Sequence, residues 1–194
     1  MPHSKWFAAV GTAAVVTMVM VPAQQAASAP SNAAPNSVSA ATTLYYDDSR
    51  AGGWEAAIAA GVATWNANVT NVKLAKAPSG TRAQIRIIAT NGWPQASLGP
   101  VRPGGQGWVE LGSQAVAQGY DKTRIAAHEI GHNLGLPDTK PGPCSKLMSG
   151  SSAGVACRNP VPDAAERSRV ESAYGGRAAA AQTPADGRVM VDVP

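Results

Sequence analysis

His128-Glu129-Ile130-Gly131-His132-Asn133-Leu134-Gly135-Leu136-Pro137-Asp138 is the stretch from which the rest of this 194-residue chain can be read. At 3.6 residues per turn, histidines four apart lie one above the other on a helix and can grip a single metal ion. Glu129 sits about 100° round the same helix, within reach of a water on that metal, where a carboxylate can take a proton. Gly135 falls where the helix must stop and turn back, and Pro137 keeps it from resuming. The turn offers Asp138 to the same metal as a third ligand.

The histidine count narrows the choice of ligands. The chain has three histidines, and His3 lies in a leader expected to be removed, so a three-histidine site is excluded. The third protein ligand is then a carboxylate or comes from elsewhere: Asp138 is the nearest candidate, with Glu166 or Glu171 on a later helix as the alternative. Three protein ligands leave one position for water, the layout of a zinc peptidase in which Glu129 is the general base.

Composition bounds the rest. Sixteen Lys and Arg against twelve Asp and Glu give a net charge of +4. The basic residues, among them Arg50, Lys73, Lys76, Arg82, Arg86, Arg102, Lys122 and Arg124, are scattered along the chain. They read as a solvated surface and argue against a nucleic-acid partner. Residues 1–29 have the form of a secretory signal peptide, with a polar, positive start, an apolar run over 6–21 and Ala27-Ser28-Ala29 for cleavage. That run is short for a spanning helix, so a secreted, extracellular protein without stable membrane association is expected. In such a compartment Cys144 and Cys157 are expected to form a disulfide.

Residues 30–42 read as a linker or short propeptide, 43–176 as one domain, and 177–194 as a disordered tail. Within the domain, Thr43-Leu44-Tyr45-Tyr46 predicts a strand, and residues 54–69 a long helix that buries Trp54 and Trp65 on one face. Further strands are expected at 72–75, 83–88 and 108–111, with residues 91–107, rich in Gly and Pro, as loop. The strand 108–111 precedes the metal-binding helix, so Trp108 is either a substrate contact beside the cleft or ordinary packing. Asp121 or Thr123 caps that helix, and their oxygens are also candidates for calcium. Asp163 and Glu166 spell a capping box for a last helix ending at Tyr174, before Gly175-Gly176.

HExxHxxGLPD, the methionine in Cys144-Ser145-Lys146-Leu147-Met148-Ser149-Gly150 and a cysteine-bounded loop before a final helix resemble the snapalysin family. These are small secreted bacterial neutral zinc metalloproteases of the metzincin clan. The resemblance implies an α+β, metzincin-like zincin fold. Its small twisted sheet is mostly parallel with an antiparallel edge strand, and it carries a long N-terminal helix, an active-site helix and a C-terminal helix. It implies zinc on His128, His132 and Asp138, Glu129 as the catalytic residue, Met148 as the Met-turn, and a Cys144–Cys157 disulfide. It also implies calcium at Asp121 and Thr123. The implied protein is a monomer acting on proteins or peptides, with an aromatic residue preferred just after the scissile bond. One departure stands out: shortly after the aspartate, where the family carries a tyrosine near the zinc, this chain reads Thr139-Lys140-Pro141-Gly142, with Lys140 near the tyrosine's usual position.

Two other functions fit less well. Gly150-Ser151-Ser152-Ala153-Gly154 matches the GxSxG of serine hydrolases, but no histidine follows it to serve as base. A secreted non-catalytic metal-binding or protein-binding domain would need a closed site of four protein ligands, and it has no use for Glu129.

Overall fold

The computed structural model describes residues 40–175 and 187–193. The expected signal peptide and most of the linker lie outside these, as do residues 176–186 of the expected tail. The described residues form an α+β domain on a six-stranded sheet ordered β2-β1-β3-β5-β4-β6. Strands β1 (Thr42–Arg50), β2 (Val72–Lys76), β3 (Ile85–Thr90) and β5 (Gly107–Gly112) run parallel to one another. Strands β4 (Gln95–Ser97) and β6 (Val189–Val191) are each paired antiparallel.

Alternation along the strands explains how the sheet is covered. Leu44, Tyr46, Val72, Leu74, Ile85, Ile87, Val109 and Leu111 point to one face and are buried. The residues between them, such as Arg86, Trp108 and Glu110, point to the other. Helix α1 (Glu55–Asn68) buries Trp65 and Ile58 completely in the core. Helix α3 (Lys122–Asn133) packs against α1, and a Cβ on Gly61 of α1 would lie 3.0 Å from the Ala127 nitrogen. The Trp65 indole N–H donates to the Ala127 carbonyl at 2.8 Å, so the indole is both core and bracket for α3. A short helix α2 (Ser113–Ala117) precedes α3. Helix α4 (Ala164–Tyr174) closes the domain and opens on the expected capping box of Asp163 and Glu166.

Three expectations are corrected here. Residues 91–107 are not all loop, because β4 lies within them. The first strand does not end at Tyr46 but runs on through Asp47 and Asp48 to Arg50. Asp48 is tolerated on the buried face because Lys76 pairs with it at 2.8 Å. Nor is the tail unstructured throughout: residues 189–191 join the sheet, with Gln95 opposite Val191, Ala96 opposite Met190 and Ser97 opposite Val189. Val189-Met190-Val191 is a β-prone run whose partner strand is too short and Gly/Pro-flanked to be visible in sequence.

Candidate metal centre

Helix α3 starts with Asp121, whose carboxylate accepts from the Arg124 backbone N–H at 2.9 Å. Twelve residues later it stops at the expected place. Gly135 takes φ +100°, a region that a Cβ disfavours, while its N–H and that of Leu136 donate to the His132 and Gly131 carbonyls. The turn brings Asp138 back beside the two histidines.

Three donor atoms meet there. The Nε2 atoms of His128 and His132 are 3.0 Å apart, and Asp138 Oδ1 lies 3.2 Å from the first and 3.6 Å from the second. Zinc bonds of about 2.0–2.1 Å at tetrahedral angles place donors about 3.3 Å apart, so the triangle fits one face of a zinc tetrahedron. Ring orientation is fixed from behind. His128 Nδ1 donates to the Leu147 carbonyl at 3.0 Å and His132 Nδ1 to the Leu136 carbonyl at 2.7 Å. Since carbonyls only accept, both Nδ1 atoms carry a proton, and each ring, when neutral, presents its Nε2 lone pair to the site. Two lone pairs 3.0 Å apart repel, so a cation belongs between them: a metal ion or, without one, a proton on His128 Nε2 shared with Asp138.

The electrostatics make the same demand. Burial and the charge of His128 hold His132 down to about 3. Burial also works against a charged His128, but the Asp138 hydrogen bond and the nearby carboxylates outweigh it and push His128 up to about 9. Burial opposes ionisation of Asp138 too, yet the His128 hydrogen bond and positive neighbours keep it below its ordinary value. Glu129 is fully buried, neither of its oxygens has a hydrogen-bond partner, and burial raises its carboxyl well above the usual range. Its carboxylate lies within 4.8 Å of a ligand atom of each histidine. An unpaired buried carboxylate is costly, and a divalent cation beside it removes that cost.

The floor of the site is the turn over residues 147–153. Met148 is fully buried, and a Cβ on Gly131 would come within 2.8 Å of its sulfur and 3.1 Å of the Trp65 ring. Gly131→Ala therefore pits a helix-propensity gain of about 1 kcal/mol against about 1–3 kcal/mol of overpacking. We expect a lower melting temperature, measured by thermal unfolding. Two buried side chains hold this turn against the helices. The Glu166 carboxylate accepts from the N–H groups of Leu147 and Met148, at 3.1 and 2.8 Å, as well as from Asp163 N–H. Arg124 donates to the carbonyls of Lys146, Leu147 and Asn159 and to the Ser149 hydroxyl. The Cys144–Cys157 disulfide is formed just outside the turn.

Other expected site residues lie elsewhere. Glu171 accepts from the N–H groups of Thr70 and Asn71 and, like Glu166, is occupied away from the metal centre. Thr123 lies in the first turn of α3. Trp108 stands on the outer sheet face with Arg86 and Gln106, and β5 has a strand on each side, so no extended peptide can pair with it. The next strand out, β4, is the one tied to the end of α3 through Asn133. Arg124, read from the sequence as one of the scattered surface charges, is 5 % exposed. Asn133 was not singled out by pattern; its amide donates to the carbonyls of Ser97 and Trp108, fastening the end of α3 to β4 and β5. Asp192 was not singled out either, although it closes the alternating run Val189-Met190-Val191. It is 5 % exposed, and an oxygen of its carboxylate, a His128 nitrogen and an Asp138 oxygen all lie within 4.8 Å of one another.

A sheet-backed helix that turns two histidines and a glutamate toward an aspartate on the following loop defines the class of metal-dependent peptidase centres. Residues 41–175 match the Streptomyces extracellular neutral proteinase (M7) family, and the chain belongs to it. The "extracellular small neutral protease" of Streptomyces lividans is 42% identical over 149 residues, 76% of this chain and 64% of that protein. The protein of the same name from Streptomyces caespitosus is 42% identical over 132 residues, 68% of this chain and 96% of its own length. The chain thus spans just under two thirds of the longer relatives it matches. Two solved structures are also similar. The zinc-protease high choriolytic enzyme 1 of medaka has a TM-score of 0.36 at 22% identity, covering 50% of this chain and 44% of that one. The archaemetzincin of Methanopyrus kandleri has a TM-score of 0.44 at 16% identity, covering 69% and 96%. Among the described residues no helix is long and apolar enough to cross a membrane.

Proposed function

We propose that the protein is a secreted zinc endopeptidase that holds its metal through His128, His132 and Asp138 and uses Glu129 as general base. The observation that carries this is the triangle of two Nε2 atoms and one carboxylate oxygen with edges of 3.0, 3.2 and 3.6 Å. Zinc, when bound, supplies a Lewis acid that polarises a peptide carbonyl and acidifies water. Glu129 has two unpaired oxygens with which to take a proton from the attacking water and return it to the leaving amine. The carbonyls of Leu147 and Leu136 hold the imidazoles in the tautomer that faces the metal. Met148 and Trp65 support the helix from below. Extracellular location and protein substrates are supported by the names of the relatives.

An aromatic preference after the scissile bond, a monomeric state and calcium at Asp121 and Thr123 are supported by the family pattern alone. One Asp121 oxygen already serves as the α3 cap. The test is direct. One zinc per chain is expected by native mass spectrometry, with casein hydrolysis that a chelator abolishes and added zinc restores. Hydrolysis that survives complete removal of metal would overturn the reading.

A further inference from the structure

Segment 187–193 lies along the edge of β4 and brings Asp192 beside the metal centre. Strand β6 pairs antiparallel along the outer edge of β4, Leu98 N–H donates to the Arg188 carbonyl at 2.8 Å, and Asp192 N–H donates to the Pro94 carbonyl at 2.9 Å. A peptide added to a sheet edge is bound by this kind of main-chain ladder. The segment's side chains are disposed against hydrophobic logic. Val189, Val191 and Val193 are 48, 41 and 44 % exposed, whereas Asp192 between them is 5 % exposed. Burial of apolar surface therefore does not explain the docking; the carboxylate does.

That carboxylate has a prepared seat. Asp192 Oδ1 accepts from Ser151 N–H at 3.0 Å and from Lys140 Nζ at 2.5 Å. Lys140 also donates to the Val193 carbonyl at 3.0 Å, and the Ser151 hydroxyl to the same oxygen at 2.6 Å. Gly150 leaves the room: a Cβ there would lie 2.4 Å from Asp192 Oδ1 and 2.9 Å from Lys140 Cε. Lys140, near the position where the family pattern carries a tyrosine, is thus committed to this segment. The family match itself ends at residue 175, before the segment begins.

We propose that Asp192 is a further protein ligand of the metal held by His128, His132 and Asp138, delivered by β6, so that segment 187–193 fills the substrate cleft of its own chain. This rests on the zinc-peptidase reading above. An Asp192 oxygen, a His128 ring nitrogen and an Asp138 oxygen are within 4.8 Å of one another, so the carboxylate stands beside two of the three metal-binding side chains. A fourth protein ligand would take the position that a catalytic site leaves to water, so the centre would be closed while the segment is docked and the full-length chain would turn over only in the fraction that has released it. Withdrawing the segment frees the β4 edge and that position together.

The experiment compares the full-length chain with its Asp192→Asn and Lys140→Met variants. Zinc affinity is measured by competition with a chromophoric chelator, coordination by the visible spectrum of the cobalt-loaded protein, and turnover on a quenched-fluorescence peptide. Circular dichroism confirms that each variant folds. Asp192→Asn is expected to weaken zinc binding by about 10-fold or more, to change the cobalt spectrum as water replaces a carboxylate, and to raise turnover at least about 10-fold. Lys140→Met should move all three readouts the same way by less. Unchanged affinity, spectrum and turnover in both variants of an active zinc protein would overturn the proposal and leave the peptidase reading intact. Failure of the full-length chain and both variants to bind zinc would overturn both.

Discussion

Glu129→Ala is expected to keep one zinc per chain and to lose about 10³-fold or more in kcat/KM on a peptide substrate. The separation follows from geometry. The donor triangle is built from His128, His132 and Asp138, and its edges do not involve Glu129. The two imidazoles are held by backbone carbonyls that the substitution leaves in place. What the substitution removes is a fully buried carboxylate with no hydrogen-bond partner on either oxygen. Such a group costs folding free energy, so the variant freed of metal should melt at the same temperature as the parent or higher. A purely structural role for Glu129 predicts the opposite, a lower melting temperature with activity falling only in proportion to the unfolded fraction. The measurement is therefore a pair, steady-state kinetics with metal analysis on one side and thermal unfolding of the metal-free protein on the other. Near-parental turnover in Glu129→Ala would sink the assignment of the base. Glu129→Gln keeps the shape and loses only the basicity, and it should fall nearly as far.

The parts of this site that sequence makes legible are those written in short-range periodicity. Two histidines at i and i+4, a glycine that alone fits φ +100°, a proline and an aspartate all act within eleven residues, and the chain folds them as local rules require. The capping box of α4 is legible for the same reason. What escapes are residues whose partners are distant in the chain. Arg124 has the composition of a surface charge, and only the convergence of four acceptors from residues 146–159 makes it a buried brace. Trp108 looks like a cleft residue while β5 is taken for the last strand before the helix. Once β4 and β6 lie outside it, the pleat alone decides which way the ring faces. Asp192 is the extreme case, since its main-chain partner Pro94 is about a hundred residues away and its burial depends on Lys140, Gly150 and Ser151 together. The sheet's order was beyond reach for a related reason: a three-residue strand in a Gly/Pro-rich stretch has too little pattern to be distinguished from loop.

Asp138→Ala and Glu166→Ala should fail in opposite ways, which settles the third ligand between two carboxylates that sequence alone left open. Asp138 Oδ1 is within 3.6 Å of both Nε2 atoms, and its side chain is 18 % exposed, so its removal opens the site to water, which can take its place beside His128. Zinc affinity should fall by more than the 10–100-fold that loss of an outer-shell partner brings, with the metal-free protein melting close to the parent. Glu166 is 4 % exposed and accepts from three backbone N–H groups, those of Leu147, Met148 and Asp163. At about 1 kcal/mol or more for each donor left unsatisfied, Glu166→Ala should cost about 3 kcal/mol or more. For a domain of this size that is a fall of about 6–12 °C in melting temperature. Some of the strain reaches the metal, because the Leu147 carbonyl that orients His128 belongs to the turn Glu166 fixes. That route is indirect, so zinc affinity in Glu166→Ala should stay within about 10-fold of the parent while stability falls. Chelator competition and thermal unfolding on both variants decide the matter. If Glu166→Ala loses zinc more severely than Asp138→Ala, the ligand set is wrong, and the capping box that occupies Glu166 cannot be the whole of its role.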